Sequence, residues 1–98
     1  MKALNYSPKA ERDLGEIWTY TAKRWSNQQA DTYLTQILDA LDNVAAGRLV
    51  GTPAPAVRPG YRRLLIGAHV AFYEETDAKV TVIRILHQSM DRDRHLDD

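Results

Sequence analysis

Tyr61-Arg62-Arg63-Leu64-Leu65-Ile66-Gly67-Ala68-His69-Val70-Ala71-Phe72-Tyr73-Glu74 is the stretch whose reading decides the fold. Tyr61–Ile66 and His69–Glu74 are rich in aromatic and branched side chains, which suit a pleated, half-buried surface. Gly67-Ala68 between them fits a two-residue hairpin turn with glycine first. A further turn in the Thr76–Lys79 region leads to a third run of the same kind, Val80–His87. The second half of the chain therefore reads as a three-strand meander. In its last strand, strict alternation would place Ile83 and Ile85 on one face. Val80, Val82, Arg84 and Leu86 would lie on the other. Both faces are then partly apolar, so the second face is expected to be covered by the C-terminal tail or a partner.

Upstream of the meander, residues 47–60 hold three glycines and three prolines, a density that neither helix nor strand interior tolerates, so the segment reads as a loop. Before that loop the period changes. Ala30, Tyr33, Leu34, Ile37, Leu38, Leu41, Val44 and Ala45 recur at helical spacing, and Gly47 is placed to end the helix in a left-handed conformation. Ser26 with Gln29 three residues on fits a capping box at its start. An earlier stripe, Ala10, Leu14, Ile17, Trp18, Thr21 and Trp25, predicts a first helix, with Ser7 as cap and Pro8 at the first helical position. Residues 2–6 read as a short strand with Leu4 and Tyr6 on one face. The order is β-α-α-β-β-β in a single domain over residues 1–98: helical hairpin about 8–46, loop 47–60, sheet 61–87 and C-terminal tail 88–98. The fold class is α+β, with the helical hairpin packed on one face of a small, largely antiparallel sheet.

Composition narrows the function. The chain has 98 residues and no cysteine, so disulfides, zinc–thiolate sites and thiol nucleophiles are excluded. His69, His87 and His95 show no metal spacing, and neither a metal nor a cofactor is expected. The N-terminus lacks the apolar run of a signal peptide and no stretch reaches the length of a membrane span, so a cytoplasmic protein without membrane contact is expected. Thirteen basic side chains balance thirteen acidic ones. Only residues 47–64 are one-sided, carrying Arg48, Arg58, Arg62 and Arg63 with no acid. A general nucleic-acid binder is usually basic overall, and this balance speaks against one.

Two stretches are specific enough to suggest a family. Arg58-Pro59-Gly60-Tyr61-Arg62-Arg63-Leu64 and Arg84-Ile85-Leu86-His87-Gln88-Ser89-Met90-Asp91 closely resemble the ParE toxins of the RelE/ParE toxin–antitoxin superfamily. Ser7-Pro8, Asp13-Leu14, Ile17-Trp18, Tyr20, Arg24-Trp25, Gln29-Ala30 and Tyr33-Leu34 agree with it. The resemblance implies the RelE/ParE fold and a toxin that acts by binding rather than catalysis. It implies DNA gyrase as the target, poisoned by stabilising its cleaved-DNA complex, and a ParD-like antitoxin as the neutralising partner. DNA would then be reached only indirectly, through antitoxin or gyrase.

On that reading Arg84, His87, Gln88, Met90 and Asp91 are the candidate target-binding residues. Trp18, Tyr20, Arg24, Arg58, Arg62 and Arg63 are the candidate antitoxin-binding residues, since tryptophan, tyrosine and arginine often anchor interfaces and arginine forks bind carboxylates. Blander roles compete. Trp18 and Trp25 lie on the apolar stripe and are expected to pack in the core. Arg84 and His87 are expected to hold the C-terminal tail by hydrogen bonds. Arg58, Arg62 and Arg63 would form a solvated edge, and His69 would be a satisfied polar residue. Two other functions stay open. A ribosome-dependent mRNA endonuclease would use Arg63, Arg84 and His87, with Arg62 nearby, as its cations and acid–base group. A non-toxic module that only binds antitoxin is the other.

Overall fold

The computed structural model describes residues 1–90. Strand β1 (Ala3–Tyr6) leads into helix α1 (Pro8–Arg24) and helix α2 (Asn27–Ala45). Strands β2 (Thr52–Pro53), β3 (Tyr61–Ile66), β4 (His69–Glu75) and β5 (Lys79–His87) follow, then a single 3₁₀ turn, Gln88–Met90. One five-stranded sheet runs β1-β5-β4-β3-β2. Among the described residues only the β1–β5 pair is parallel. Among the described residues no helix is long and apolar enough to cross a membrane.

The helix ends follow from local chemistry. Ser7 Oγ accepts the Ala10 N–H at 3.0 Å and donates to the Ile83 carbonyl at 2.6 Å, so one hydroxyl caps α1 and ties it to β5. Ser26 Oγ accepts the Gln29 N–H at 3.0 Å and starts α2. Gly47, at φ +79°, closes α2. Its N–H donates to the Val44 carbonyl and that of Arg48 to the Asn43 carbonyl, the paired bonds of a Schellman ending.

Ala10 and Ile17 of α1 and Ile37 and Leu41 of α2 pack on Ile66, Ala71, Val82 and Ile85 of the sheet. Val44, Ala45, Tyr73 and Val80 extend this core toward the other end. The far face carries its own cluster of Val70, Phe72 and Leu86, against which Val57 packs. Phe72 and Tyr73, both fully buried, sit on opposite faces of β4. Burial of one such aromatic contributes about 1.5–3 kcal/mol.

Five expectations change. The loop over 47–60 contains the fifth strand: Thr52 and Pro53 pair with Arg63 and Arg62 on an edge, where proline costs no ladder bond. Gly51 permits this close approach, because a Cβ there would lie 2.5 Å from the Arg63 carbonyl oxygen. Alternation in β5 is broken, since Phe72 pairs with Arg84 but Tyr73 with Val82. Ile83 is the extra residue of a bulge, which puts Val80, Val82 and Ile85 all toward the helices and Leu86 on the far face. Trp25 is 69% exposed, because α1 ends at Arg24 and the Trp25 backbone leaves the helical path. Trp18 is only half-buried, and its indole N–H donates to Asp31 Oδ1 of α2 at 2.8 Å. Leu38, expected on the buried stripe of α2, is exposed at its flank.

Candidate binding cleft

β1 stops at Tyr6, opposite Val82, so beyond that point the outer edge of β5 has no strand beside it. Ser7, the cap of α1, and Asp13 within the helix fill the gap. Ser7 N–H donates to the Val82 carbonyl, and Ser7 Oγ to that of Ile83. Nearly two helical turns later the Asp13 carboxylate accepts three bonds. Two come from the Arg84 Nε at 2.8 Å and its terminal nitrogen at 3.0 Å, and the third from the Ile85 N–H at 2.9 Å. Asp13 is buried, and a buried carboxylate is tolerated only with such partners. The fork geometry is the strong bidentate kind, and Asp13 holds the Arg84 pKa above its already high ordinary value.

Between α1 and this end of β5 lies an open cleft of about 450 Å³. Ile17, Ile85 and Leu86 give it apolar walls, the Asp13–Arg84 pair lines one part, and His69, His87 and Met90 line another. Tyr20 on α1 is 67% exposed and Met90 45% exposed, and both border it.

The histidines are built into the end of the sheet. His69 and His87 face each other across β4 and β5, ring centroids 5.4 Å apart in an edge-on arrangement. Tyr33 Oη of α2 meets His69 Nδ1 at 2.6 Å and accepts the Ala68 N–H at 3.0 Å, so one phenol fixes the β3–β4 turn. Gly67 takes φ +58° there, and a Cβ on it would lie 2.8 Å from the Tyr33 ring. Burial, then the nearby His87, push the His69 pKa down, while Asp13 opposes them. Burial pushes the Tyr33 phenol up. His87 Nδ1 accepts the Ser89 N–H at 3.1 Å and meets Ser89 Oγ at 2.8 Å, which holds the 3₁₀ turn against the strand end.

The structure thus gathers four of the expected residues, Tyr20, Arg84, His87 and Met90, around one cleft. Gln88 lies in the adjoining turn, and Asp91 lies outside the described residues. Of the tail-holding role expected for Arg84 and His87, the His87 contact to Ser89 is present. The Arg84 guanidinium engages Asp13 of α1, and residues 91–98 of the tail lie outside the described residues.

The arginines near the loop are divided. Arg62 donates to the Gly51 carbonyl at 2.9 Å and sits opposite Tyr73, a helix-side residue. Arg63 sits opposite Phe72, a far-side residue. The Arg58 guanidinium lies over the Tyr61 ring at 6.0 Å. Cross-strand partners share a face. Arg63 therefore lies on the far face, whereas His87 lies on the helix side with His69 and Tyr33. The set Arg63, Arg84 and His87 does not converge on a single point.

Asp13 is the residue that sequence reasoning missed. Its signal is its spacing: Ala10, Asp13, Ile17 and Thr21, at steps of three and four, are the four buried residues of α1. An acid on the buried stripe of a helix needs a cation or N–H opposite it.

The chain also matches known proteins. The family model described as the ParE toxin of the type II toxin–antitoxin system, parDE, matches residues 4–92. The chain belongs to the ParE toxin family. It is 44% identical over 91 residues to a protein named Toxin ParE1 from Mycobacterium tuberculosis, covering 92% of this chain and 93% of that one. It is 40% identical over 96 residues to a Toxin ParE1 from Caulobacter vibrioides, covering 98% and 99% of the two chains. A chain of the solved chromosomal ParDE toxin–antitoxin system from P. aeruginosa shares the fold, with a TM-score of 0.77 at 21% identity, over 89% of this chain and 96% of that one. In this ParE toxin the family match spans every residue that lines the cleft.

Proposed function

We propose that this ParE toxin arrests growth by binding DNA gyrase and stabilising its cleaved-DNA complex, and that a ParD-like antitoxin neutralises it. The observation that carries the reading is the family match over residues 4–92. The cleft between α1 and β5 supports a binding mode of action. It offers exposed Tyr20 and Met90 around an apolar floor, with Arg84 and His87 at its polar ends. Aromatic, methionine and arginine side chains of this kind anchor protein interfaces. Arg84, His87, Gln88 and Met90, with Asp91 of the tail, form the gyrase-facing end in this account.

The antitoxin is assigned the outer side of α1 and the loop-strand junction. Tyr20 and Arg24 are exposed on α1, and the Arg24 guanidinium lies 5.8 Å over the exposed Trp25 ring. Trp18 contributes less, since its N–H is spent on Asp31. Arg58, Arg62 and Arg63 are offered to acidic antitoxin side chains from two faces rather than one patch. The similar fold from P. aeruginosa was solved as part of a toxin–antitoxin system, which supports a protein partner of this class.

Of the residues that the enzymatic alternative needs, Arg84 and His87 share the cleft but Arg63 does not, which favours the binding reading. An acid–base group must reach the same phosphodiester as the cations, and Arg63 and His87 face opposite sides of the sheet.

The test is a plasmid cleavage assay with purified gyrase and ATP, quenched by detergent and protease. Linear DNA that accumulates only when toxin and gyrase are both present is expected. No linear DNA from folded, antitoxin-free toxin contradicts the reading.

A further inference from the structure

We infer that Asp13 is the positioning residue of the cleft: it fixes Arg84 and the open edge of β5, and through them the place of His87 and the Gln88–Met90 turn. The inference rests on the proposed target-binding role of this end of β5.

After Tyr6 the parallel ladder ends, and the Ile85 N–H points to an edge with no strand. A buried N–H without an acceptor is costly, and the Asp13 carboxylate supplies the acceptor at 2.9 Å. The same carboxylate accepts from Nε and one terminal nitrogen along one edge of the Arg84 guanidinium. It does so immediately after the Ile83 bulge, where the strand has one residue more than its partner and its register is least defined by pairing. Three bonds from one side chain, 71 and 72 residues away in sequence, therefore fix the direction in which the strand leaves the bulge. His87 is two residues beyond Ile85, and its imidazole holds Ser89. A change at Asp13 is transmitted along this path to the residues assigned to the target, none of which Asp13 replaces as a contact.

Asp13→Asn is the discriminating variant. Its amide oxygen still accepts from Ile85 N–H, but the charge that holds Arg84 is gone. Asp13→Ala removes both, and Glu11→Gln, at an exposed position of the same helix, is the control. Each protein is titrated in the gyrase–plasmid cleavage assay, and its backbone amide exchange is followed by mass spectrometry. A fall of the correctly placed population to about one tenth raises the half-maximal concentration about tenfold and leaves the saturating level unchanged. Asp13→Ala is expected to show that shift, Asp13→Asn a smaller one, and Glu11→Gln none. Exchange is expected to quicken well beyond any uniform change over residues 83–90, while residues 30–45 show only the shift that the lower global stability sets. Wild-type titration by Asp13→Asn with parental exchange over 83–90 overturns the inference. So does a loss of protection spread equally through α2, which marks a general structural role. If the parent toxin yields no cleavage, the gyrase reading fails instead, and the exchange pattern alone decides whether Asp13 holds this wall.

Discussion

The two halves of β5 meet the rest of the molecule in different ways. From Lys79 to Val82 the strand is flanked on both edges, by β1 and β4, and Val80 and Val82 sit fully buried under the helices. From Ile83 to His87 one ladder is gone, and Ser7 and Asp13 of α1 supply the missing acceptors and donors. The first half is held by backbone pairing and apolar burial, which have no ligand to offer. The second half is held by polar side chains, and their cleft leaves charged and aromatic groups open to a partner. The proposed binding site lies where the sheet runs out of strands.

The largest effect is expected from breaking the second half. Asp13→Leu leaves the Arg84 guanidinium and the Ile85 N–H without their carboxylate. Loss of one member of a buried pair costs about 3–5 kcal/mol, and the lower end applies because the Arg84 side chain keeps 18% of its surface in water. Urea unfolding measures it, and a loss below about 1 kcal/mol, the range of exposed ion pairs, would show the pair to be ornamental.

Val80→Ala tests the first half. Removing two buried methyl groups costs about 2 kcal/mol from transfer and cavity terms. This variant is expected to keep the parental amide exchange over residues 83–90, since the site does not rest on that half.

A smaller effect comes from pH. Burial and then His87 depress the His69 pKa below its ordinary value of 6.5. Below 6.5 the unfolded chain therefore binds more protons at this site than the folded one, and stability rises with pH there. The contribution is fully present above pH 6.5 and is lost as pH falls through that value toward the folded pKa. His69→Gln is expected to flatten the urea midpoint between pH 7.5 and 5.5, relative to the parent. An unchanged slope would remove His69 from the balance at this end.

The smallest effect is at the other end of the sheet. Lys2 Nζ and Glu75 Oε2 are 2.7 Å apart with both side chains partly in water. Lys2→Met is expected to change stability by about 0.2–1 kcal/mol, the range of exposed pairs, less at high salt.

Much of this fold was legible in the residues. Ser7, Ser26 and Gly47 mark the helix ends, and all three do so by the expected bonds or φ. Gly67-Ala68 marks the hairpin. What escaped has physical causes. A two-residue strand containing Pro53 carries no periodicity, and its pairing depends on Gly51 lying against β3. A bulge at Ile83 cannot be seen in a run that is apolar on both faces. Trp25 continues the helical spacing one residue past the place where the helix stops. For the site, Arg84, His87 and Tyr20 were legible as types that bind, but not as neighbours, because 64 positions in sequence separate Tyr20 from Arg84. The arginine-rich junction reads as one cluster in sequence, but adjacent Arg62 and Arg63 of a strand face opposite sides.

The measurement that tests the central claim most directly is a hydrogen-exchange footprint of the toxin on gyrase trapped with plasmid DNA. The account predicts protection over the α1 segment 13–20 and the β5 and turn segment 83–90, with the β1–α2 end unchanged. Protection confined instead to the far face around Leu65 and Val70, with 83–90 exchanging as in the free toxin, would contradict it.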